Sequence, residues 1–154
     1  MEKNYRNGNT VITFGTFDLF HLGHLRILER AAALGNKLLV GISSDELNYS
    51  KKKIYPTYSQ HDRMEIVKAI RCVGGVFLEE SLERKRDYLL QHNGSILVMG
   101  DDWQGKFDEF SDIVEVIYLH RTALISTTEA KKSIIEQAGK VYDPVFPDSA
   151  RPVL

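Results

Sequence analysis

The segment that decides the fold is TVITFGTFDLFHLGH, residues 10–24. Its first five residues are β-branched or aromatic and stop at Gly15, which predicts a strand followed directly by a loop. Leu25, Leu28 and Ala32 then recur at helical spacing, so a helix is predicted after the loop. A strand, a glycine loop and a helix in this order predict the first half of a βαβ unit.

The rest of the chain repeats this alternation of strands and helices. Further strands are predicted at 38–42, 73–78, 96–99 and 113–119, and helices from Ser59, from Ser81 to about 91, and from Ser126. Residues 43–58 are predicted to form a long polar loop. Right-handed crossovers between such elements predict an α/β fold, a Rossmann-like five-stranded parallel sheet with helices on both faces. In such folds, ligands bind beyond the carboxyl ends of the strands.

Length and composition favour one domain of an ordinary globular protein. The 154 residues are predicted to divide into a polar N-terminal segment at 1–9, a folded domain at 10–138 and an irregular tail at 139–154. A formal net charge of −1 argues against a nucleic-acid partner, and no apolar stretch is long enough to predict membrane insertion. The N-terminus has no signal-peptide pattern, and Cys72, the one cysteine, is read as a core residue. We therefore expect a cytoplasmic protein.

Two histidines flank a glycine at the predicted start of the first helix. Amide groups at a helix start point outward and favour anions, and imidazoles can donate hydrogen bonds to phosphate oxygens. A histidine pair alone could equally cap the helix or pack on the surface. Because His21 and His24 follow a strand and a glycine loop, we interpret them as phosphate ligands.

A second group of phosphate-binding side chains follows the fifth predicted strand. Arg121 is succeeded by the hydroxyl residues Ser126, Thr127 and Thr128 at the start of the last helix. A guanidinium group binds phosphate through two hydrogen bonds, and hydroxyl and amide groups add further donors. Alone, Ser126 with Glu129 would be a plain capping box. Together with the histidines, the group predicts the other side of one phosphate site.

Three weaker signals lie in other loops. Asp102 and Trp103 follow the fourth predicted strand and suit recognition of a base or ribose, although a polar turn with a packed tryptophan is the alternative. The lysine run at 51–53 is either solvated surface or a phosphate-binding loop. Arg63 and Arg71, eight residues apart, are predicted to share one helix face.

These motifs carry a resemblance to a known family. Residues 15–24 resemble the H-x-G-H signature of the nucleotidyltransferase superfamily, and residues 121–128, RTALISTT, resemble the R-T-x-x-I-S-T-T motif of its cytidylyltransferase branch. Residues 98–107, VMGDDWQGKF, are similar to branch members that accept glycerol 3-phosphate. The likeness implies a nucleotidylyltransferase fold, CTP as substrate, Mg²⁺ held mainly through the CTP phosphates, and a homodimer. The implied reaction is in-line attack of a small phosphorylated alcohol on the α-phosphate, with glycerol 3-phosphate as the favoured acceptor and pyrophosphate as the leaving group.

The resemblance also implies a role for each matching residue. The residues implied in catalysis are His21, His24, Arg121 and Lys51. The residues implied in nucleotide binding are Gly15, Thr16, Phe17, Gly23, Gly100, Asp102, Ser126 and Thr127. The residues implied near the acceptor are Asp18, Lys53 and Arg71. No residue is implied as a direct metal ligand.

Departures from the family pattern leave the acceptor open. Leu22 stands between the histidines, and Leu82 lies close to the acceptor side, at positions where the nearest family members often carry tryptophan. The alternatives are choline phosphate, ethanolamine phosphate or a phosphonate as acceptor, or ATP in place of CTP. A nucleotide-binding module without turnover is a more distant alternative. An aminoacyl-tRNA synthetase fragment is disfavoured because the chain has no evident basic region for tRNA.

Overall fold

The computed structural model describes residues 8–122 and 126–141. The strands are β1 (Thr10–Gly15), β2 (Lys37–Ser43), β3 (Gly75–Glu79), β4 (Ile96–Gly100) and β5 (Glu115–Leu119). The helices are α1 (Leu22–Ala32), α2 (Asp45–Lys52), α3 (Gln60–Lys68), α4 (Lys85–Gln91) and α5 (Thr127–Val141). Two short 3₁₀ turns, Asp101–Trp103 and Asp108–Asp112, lie between β4 and β5.

The five strands form one parallel sheet in the order β3-β2-β1-β4-β5. The chain first builds outward from β1 to β3 and then returns to the other side of β1. Strand order therefore reverses between β1 and β4, which is where ligands bind in open sheets of this kind. The predicted Rossmann-like fold is confirmed, and Gly15, the last residue of β1, lies at this reversal.

Hydrophobic layers cover both faces of the sheet, as predicted. Successive residues of a strand point to opposite faces, so Val11 joins one layer and Ile12 the other. The first layer includes Leu28 of α1 and Val67 of α3, both fully buried. The second includes Leu89 of α4. Full burial of each such side chain stabilises the fold by about 1.5–3 kcal/mol, so both layers help fix the strand ends that carry the site.

The segment predicted as a long polar loop contains α2, so that prediction is wrong. Ser44 caps α2 by accepting a hydrogen bond from the amide of Leu47, and acidic residues in the first turn and lysines in the last suit the helix dipole. The helix buries only Leu47 and Asn48, so its sequence shows no apolar stripe. Capping and charge placement were the signals for this helix.

Other element boundaries differ from the prediction in informative ways. Ser59 caps α3 as predicted, accepting from the amide of Asp62. Ser81 does not begin α4, because its hydroxyl donates to the Glu83 carboxylate at 2.6 Å and the helix starts at Lys85. Helix α3 ends at Lys68, so Arg71 lies in the following turn. The prediction that Arg63 and Arg71 share a helix face is therefore wrong.

The last helix runs past the predicted domain boundary. Helix α5 continues to Val141, so the tail predicted from 139 begins as helix. The rest of that tail, 142–154, and most of the predicted N-terminal segment, 1–7, lie outside the described residues. Cys72 is half-buried against the first hydrophobic layer. Over the described ranges, no helix has the length and apolar character to cross a membrane.

Candidate active site

The loop after β1 turns back over the end of its own strand. Phe17 and Leu19 adopt positive φ angles of 54° and 47°, which is uncommon for residues other than glycine and marks a constrained turn. A side chain on Gly15 would lie 2.8 Å from the ring of Phe17, which is buried. Gly15 is thus needed because Phe17 folds against it. The tight turn delivers His21 to the start of α1.

The two histidines form an imidazole capping box at the start of α1. Nδ1 of His21 accepts from the amides of Gly23 at 3.0 Å and His24 at 3.4 Å, and Nδ1 of His24 accepts from the amide of His21 at 3.3 Å. The rings stack with centroids 3.8 Å apart. A ring nitrogen that accepts a hydrogen bond carries no proton, so each neutral ring has its proton on Nε2. The geometry therefore presents two N–H donors on the far side of the rings.

Both imidazoles are held in the neutral form. Burial above all, together with the nearby His21 and Arg121, lowers the pKa of His24 to about 4 against the opposing effect of Asp18. Burial, followed by the charge of Arg121, also lowers the pKa of His21. At neutral pH the pair consists of two hydrogen-bond donors rather than two cations.

The low pKa of His24 predicts a loss of stability on acidification. The unfolded chain binds this proton with a pKa of 6.5 and the folded chain with a pKa of about 4. The contribution of His24 to the free energy of unfolding is therefore complete above pH 6.5 and is lost as the pH falls towards 4. Urea unfolding at several pH values should show a smaller acid loss for His24→Gln than for the wild type. An equal loss would contradict the assignment, and exposed His61→Gln is the matched control.

Residues from near the other end of the chain join the histidines. The Thr127 hydroxyl donates to the carbonyl oxygen of Asp18 at 3.0 Å and lies 3.4 Å from Nε2 of His21. Since its own proton is directed to Asp18, Thr127 accepts the Nε2 proton of His21. Arg121 is exposed, and its charge lowers the pKa of both histidines, which places its guanidinium group near them. The structure thus brings together two motifs about a hundred residues apart.

Ser126 serves as an ordinary helix cap at the start of α5. Its hydroxyl oxygen accepts from the amide of Glu129 at 3.1 Å, which is half of the predicted capping box. The hydroxyl proton is left for another acceptor. Residues 123–125, inside the same motif, lie outside the described residues.

Asp18 faces the protein rather than a ligand. Its carboxylate accepts from the amides of Thr57 at 2.7 Å and Tyr58 at 2.9 Å, and Lys131 of α5 lies 3.7 Å away. Burial alone would raise the pKa of Asp18, but these amides and Lys131 together hold it below its ordinary value. Asp18 as a residue is only 5% exposed, so the prediction that its carboxylate faces the acceptor does not fit. Asp18 instead ties the segment before α3 to the histidine loop and to α5.

The predicted lysine and arginine ligands are separated by the fold. Lys51 and Lys53 are both exposed at the end of α2, where Lys53 is a left-handed cap with φ 58°. Although Lys51 as a residue is exposed, its ammonium group is partly buried. This partial burial, with the charge of Lys52, lowers the pKa of Lys51 against the opposing effect of Glu79, so the ammonium group lies towards the end of β3. Arg71 follows α3 and precedes β3. It therefore lies at the amino edge of the sheet, away from the histidines.

Thr16 and Arg63 fix α2 beside the histidine loop. The Thr16 hydroxyl donates to the side-chain oxygen of Asn48 at 2.7 Å. Arg63 is fully buried and was not predicted as a structural residue. Its guanidinium donates to the carbonyl oxygens of Thr16, Ser43 and Tyr58 and to the carboxylate of Asp45. These bonds lock the ends of β1 and β2 together.

At the end of β4, Gly100 makes room for its neighbour. A side chain on Gly100 would lie 2.7 Å from the carboxylate of Asp102, which is itself exposed. The adjacent Asp101 accepts from His120 Nδ1 at 2.8 Å and from the amide of Arg121, and this lowers the pKa of Asp101. Contacts of Asp101 thus join the end of β4 to the segment that carries Arg121.

Trp103 is largely a packing residue. It is half-buried beside Phe107, with ring centroids 5.5 Å apart, and the ammonium group of Lys106 lies 5.4 Å from its ring. This is the packed arrangement that the sequence offers as the alternative to base recognition.

A buried ion pair at the end of β3 was also missed. Glu79 and Lys85 are 1% and 2% exposed, and Nζ of Lys85 donates to Glu79 at 2.8 Å. Ser43, the last residue of β2, donates its hydroxyl to the other carboxylate oxygen at 3.2 Å. The ammonium group also lies 3.6 Å from the ring centroid of Phe14, in β1. The pair therefore lies under the carboxyl ends of β1, β2 and β3.

Comparison with known proteins finds relatives along most of the chain. A family model described as cytidylyltransferase-like matches residues 12–133. The chain is 50% identical over 125 residues to a glycerol-3-phosphate cytidylyltransferase of Bacillus subtilis (strain 168), covering 80% of this chain and 95% of that protein. A protein of the same name from Staphylococcus aureus is 43% identical, and the match covers 84% of this chain and 98% of that protein. The crystal structure of a lipopolysaccharide core biosynthesis protein from Thermoplasma volcanium has the same fold, with a TM-score of 0.64 and 19% sequence identity. The match covers 74% of this chain and 98% of that one.

Proposed function

This chain belongs to the cytidylyltransferase-like family, and we propose that it condenses CTP with glycerol 3-phosphate to give CDP-glycerol and pyrophosphate. The observation that carries the proposal is the meeting of the histidine pair with Thr127 and Arg121 at the reversal of strand order. Neutral N–H donors, a hydroxyl and a guanidinium group are the chemistry that binds a nucleoside triphosphate.

The reaction needs positioning and charge stabilisation more than covalent chemistry. An oxygen of the acceptor phosphate attacks the α-phosphorus in line, the bond to the bridging oxygen breaks, and pyrophosphate leaves with that electron pair. The Nε2–H groups of His21 and His24 would donate to α-phosphate oxygens as their charge grows. Their ring orientation is already fixed by the capping box, so little reorganisation is required at that moment. Arg121 would neutralise the departing phosphates.

In the free protein, the Thr127 hydroxyl occupies the position that a phosphate oxygen of CTP would take beside His21. Its contact with Nε2 of His21 is long, at 3.4 Å, and therefore weak. An anionic phosphate oxygen is a stronger acceptor than a hydroxyl group, so CTP would take over the His21 proton. Thr127 would keep its hydrogen bond to Asp18 and remain as a wall of the site.

The acceptor side lies towards α2 and β3. We propose that Lys51 binds the acceptor phosphate and that Lys85 adds its charge from beneath. The influence of Lys51 on the pKa of Lys85 supports this, because it places the two ammonium groups near one another. Lys53, two residues after Lys51, is exposed and remains a proposed ligand, whereas the position of Arg71 at the opposite edge of the sheet gives it no support.

We propose that Mg²⁺ arrives with the nucleotide and is held through its phosphate oxygens. Within the described ranges, no group of three or more His, Cys, Asp or Glu side chains could hold a metal ion. The buried carboxylates of Asp18 and Glu79 already accept hydrogen bonds, and His21, His24 and Arg121 offer N–H donors rather than metal ligands. This set suits an ion that keeps few protein ligands. When bound, the ion would neutralise charge on the phosphates.

The proposed function is tested by measuring product with a panel of substrates. Purified protein with CTP, Mg²⁺ and glycerol 3-phosphate should release pyrophosphate and form CDP-glycerol. Choline phosphate, ethanolamine phosphate and ATP in place of CTP should give much slower turnover. A preference for any of these over glycerol 3-phosphate with CTP would overturn the assignment. The His24→Gln protein controls for contaminating activity.

We also propose that the protein is a homodimer and that it works in the cytoplasm. Ile134 and Ile135 on α5 are 58% and 71% exposed, and such side chains support a protein-protein surface. CTP is a cytoplasmic nucleotide, and a chain with one cysteine requires no oxidising compartment. Sedimentation should give twice the chain mass of 17.6 kDa, and a mass of one chain would refute the dimer.

A further inference from the structure

The stability of the fold does not require the buried pair of Glu79 and Lys85 to be ionic. Taking two charges out of water costs several kcal/mol per ion, and apolar residues of similar volume would often be as stable in their place. Both side chains are at most 2% exposed, yet they lie under the strand ends that form the site. An ionic pair at this position therefore calls for a functional reason.

The surroundings of Lys85 fix its ammonium group from several sides. Glu79 accepts its hydrogen bond at 2.8 Å, and the ring centroids of Phe14 and Phe107 lie 3.6 and 5.2 Å away. Phe107 is itself anchored, because its amide donates to the hydroxyl of Tyr118 at 2.9 Å. Lysine is a flexible point charge, so such an enclosure gives it a defined position.

Glu79 is the central acceptor of this arrangement and is too buried to touch a ligand. One of its carboxylate oxygens accepts from Lys85 and the other from the hydroxyl of Ser43. The negative charge of Glu79 also raises the pKa of Lys51, which lies above it. Two lysines therefore share one carboxylate, which leaves net positive charge on the side of the site that faces α2.

We infer that Glu79 is a positioning residue for the acceptor. It holds the Lys85 ammonium against Phe14 and in its charged form, so that Lys51 and Lys85 together attract the acceptor phosphate. The inference rests on the proposed function and assigns to Glu79 the binding of the acceptor rather than of CTP.

The electrostatic effects on Lys85 agree in sign with this role. Burial lowers the pKa of Lys85, Glu79 opposes that effect, and Lys51 adds to the lowering. Among the described residues, Glu79 from β3 and Lys51 from α2 are the charged groups on other elements that act on it. Removing the Glu79 charge would therefore lower the pKa of Lys85 further, and its proton would be lost at a lower pH.

Glu79→Gln tests the inference, with Glu80→Gln as the matched control. Glu80 is the next residue and is exposed, so it undergoes the same chemical change outside the pair. For Glu79→Gln we expect the KM for glycerol 3-phosphate to rise by about tenfold or more, while the KM for CTP stays within about twofold. The alkaline fall of kcat/KM for the acceptor should also move to lower pH. Glu80→Gln should match the wild type.

A purely structural Glu79 would give a different result. It would lower the yield of folded protein or kcat at all pH values, without a selective change in the acceptor KM or in the alkaline limb, and that would overturn the inference. A wild type that makes no CDP-glycerol would overturn the proposed function and the inference together. Normal wild-type turnover with an unchanged Glu79→Gln profile would overturn the inference alone.

A double variant keeps the test valid if Glu79→Gln folds poorly. Glu79→Gln combined with Lys85→Gln retains a hydrogen bond between the two side chains without burying an unpaired charge. If Glu79 acts through Lys85, the double variant and Lys85→Gln should have the same acceptor KM, because the second change removes nothing further. Additive losses would show that Glu79 acts by another route and would contradict the inference.

Discussion

Replacing His24 by alanine is expected to lower kcat by on the order of 10²–10³-fold, with a smaller change in the KM for CTP. The imidazole presents its Nε2–H to a phosphate whose charge increases only as the new bond forms, so its loss affects the transition state more than the bound substrate. Steady-state kinetics with CTP and glycerol 3-phosphate measure both quantities.

Two control proteins separate this effect from loss of structure. His61→Ala removes an exposed histidine of α3 and should leave kcat unchanged. In His24→Ala, the amide of His21 loses its acceptor, so the stability of the variant must be measured alongside its activity. Near-normal turnover of a folded His24→Ala protein would show that the imidazole does not act on the transition state.

Arg63→Met is expected to lower the free energy of unfolding by about 3–5 kcal/mol. The guanidinium is fully buried, and its loss leaves the carbonyl oxygens of Thr16, Ser43 and Tyr58 without this donor. Methionine preserves much of the apolar stem, so the loss reports on the hydrogen bonds. Urea unfolding of the wild type and of Arg63→Met, compared at constant m-value, gives the difference in the free energy of unfolding.

Arg71→Met is the matched control for this prediction. Arg71 is an exposed arginine in the turn after α3, and its replacement should change stability by no more than about 0.5 kcal/mol. Equal effects of the two substitutions would mean that the buried bonds of Arg63 contribute no more than a surface charge. Residual folded Arg63→Met should also bind CTP less tightly, because Arg63 anchors the loop that leads to His21.

Much of the fold can be predicted from patterns that are visible in the sequence. Strands β1, β2 and β4 are buried on both faces, so β2 and β4 appear as continuous apolar runs and β1 as a run of β-branched and aromatic residues. Helix α1 follows with an apolar stripe. By contrast, α2 is short and mostly solvated, and its burial of only Leu47 and Asn48 leaves no periodicity to detect. The start of α4 was misplaced because Ser81 bonds to a neighbouring carboxylate instead of a helix amide.

The meeting of the two site motifs also followed from the sequence. Loops after the first and fifth strands must leave the same edge of a parallel sheet, so His21 and Thr127 could be expected to converge. What the sequence could not show is which charged side chains turn inward. Asp18, Arg63 and Glu79 look like ordinary surface residues until the backbone groups that satisfy them are known. The ring nitrogens that carry the histidine protons were hidden for the same reason.

The central claim is that the histidine pair and the Arg121–Thr127 segment form a single site for CTP. The most direct measurement is an NMR titration of side-chain nitrogen signals with CTP and Mg²⁺, in the absence of acceptor. We expect the Nε2–H signals of His21 and His24 and the guanidinium signal of Arg121 to shift along one common saturation curve. Saturable binding of CTP that leaves either the histidine signals or the Arg121 signal unchanged would contradict the account.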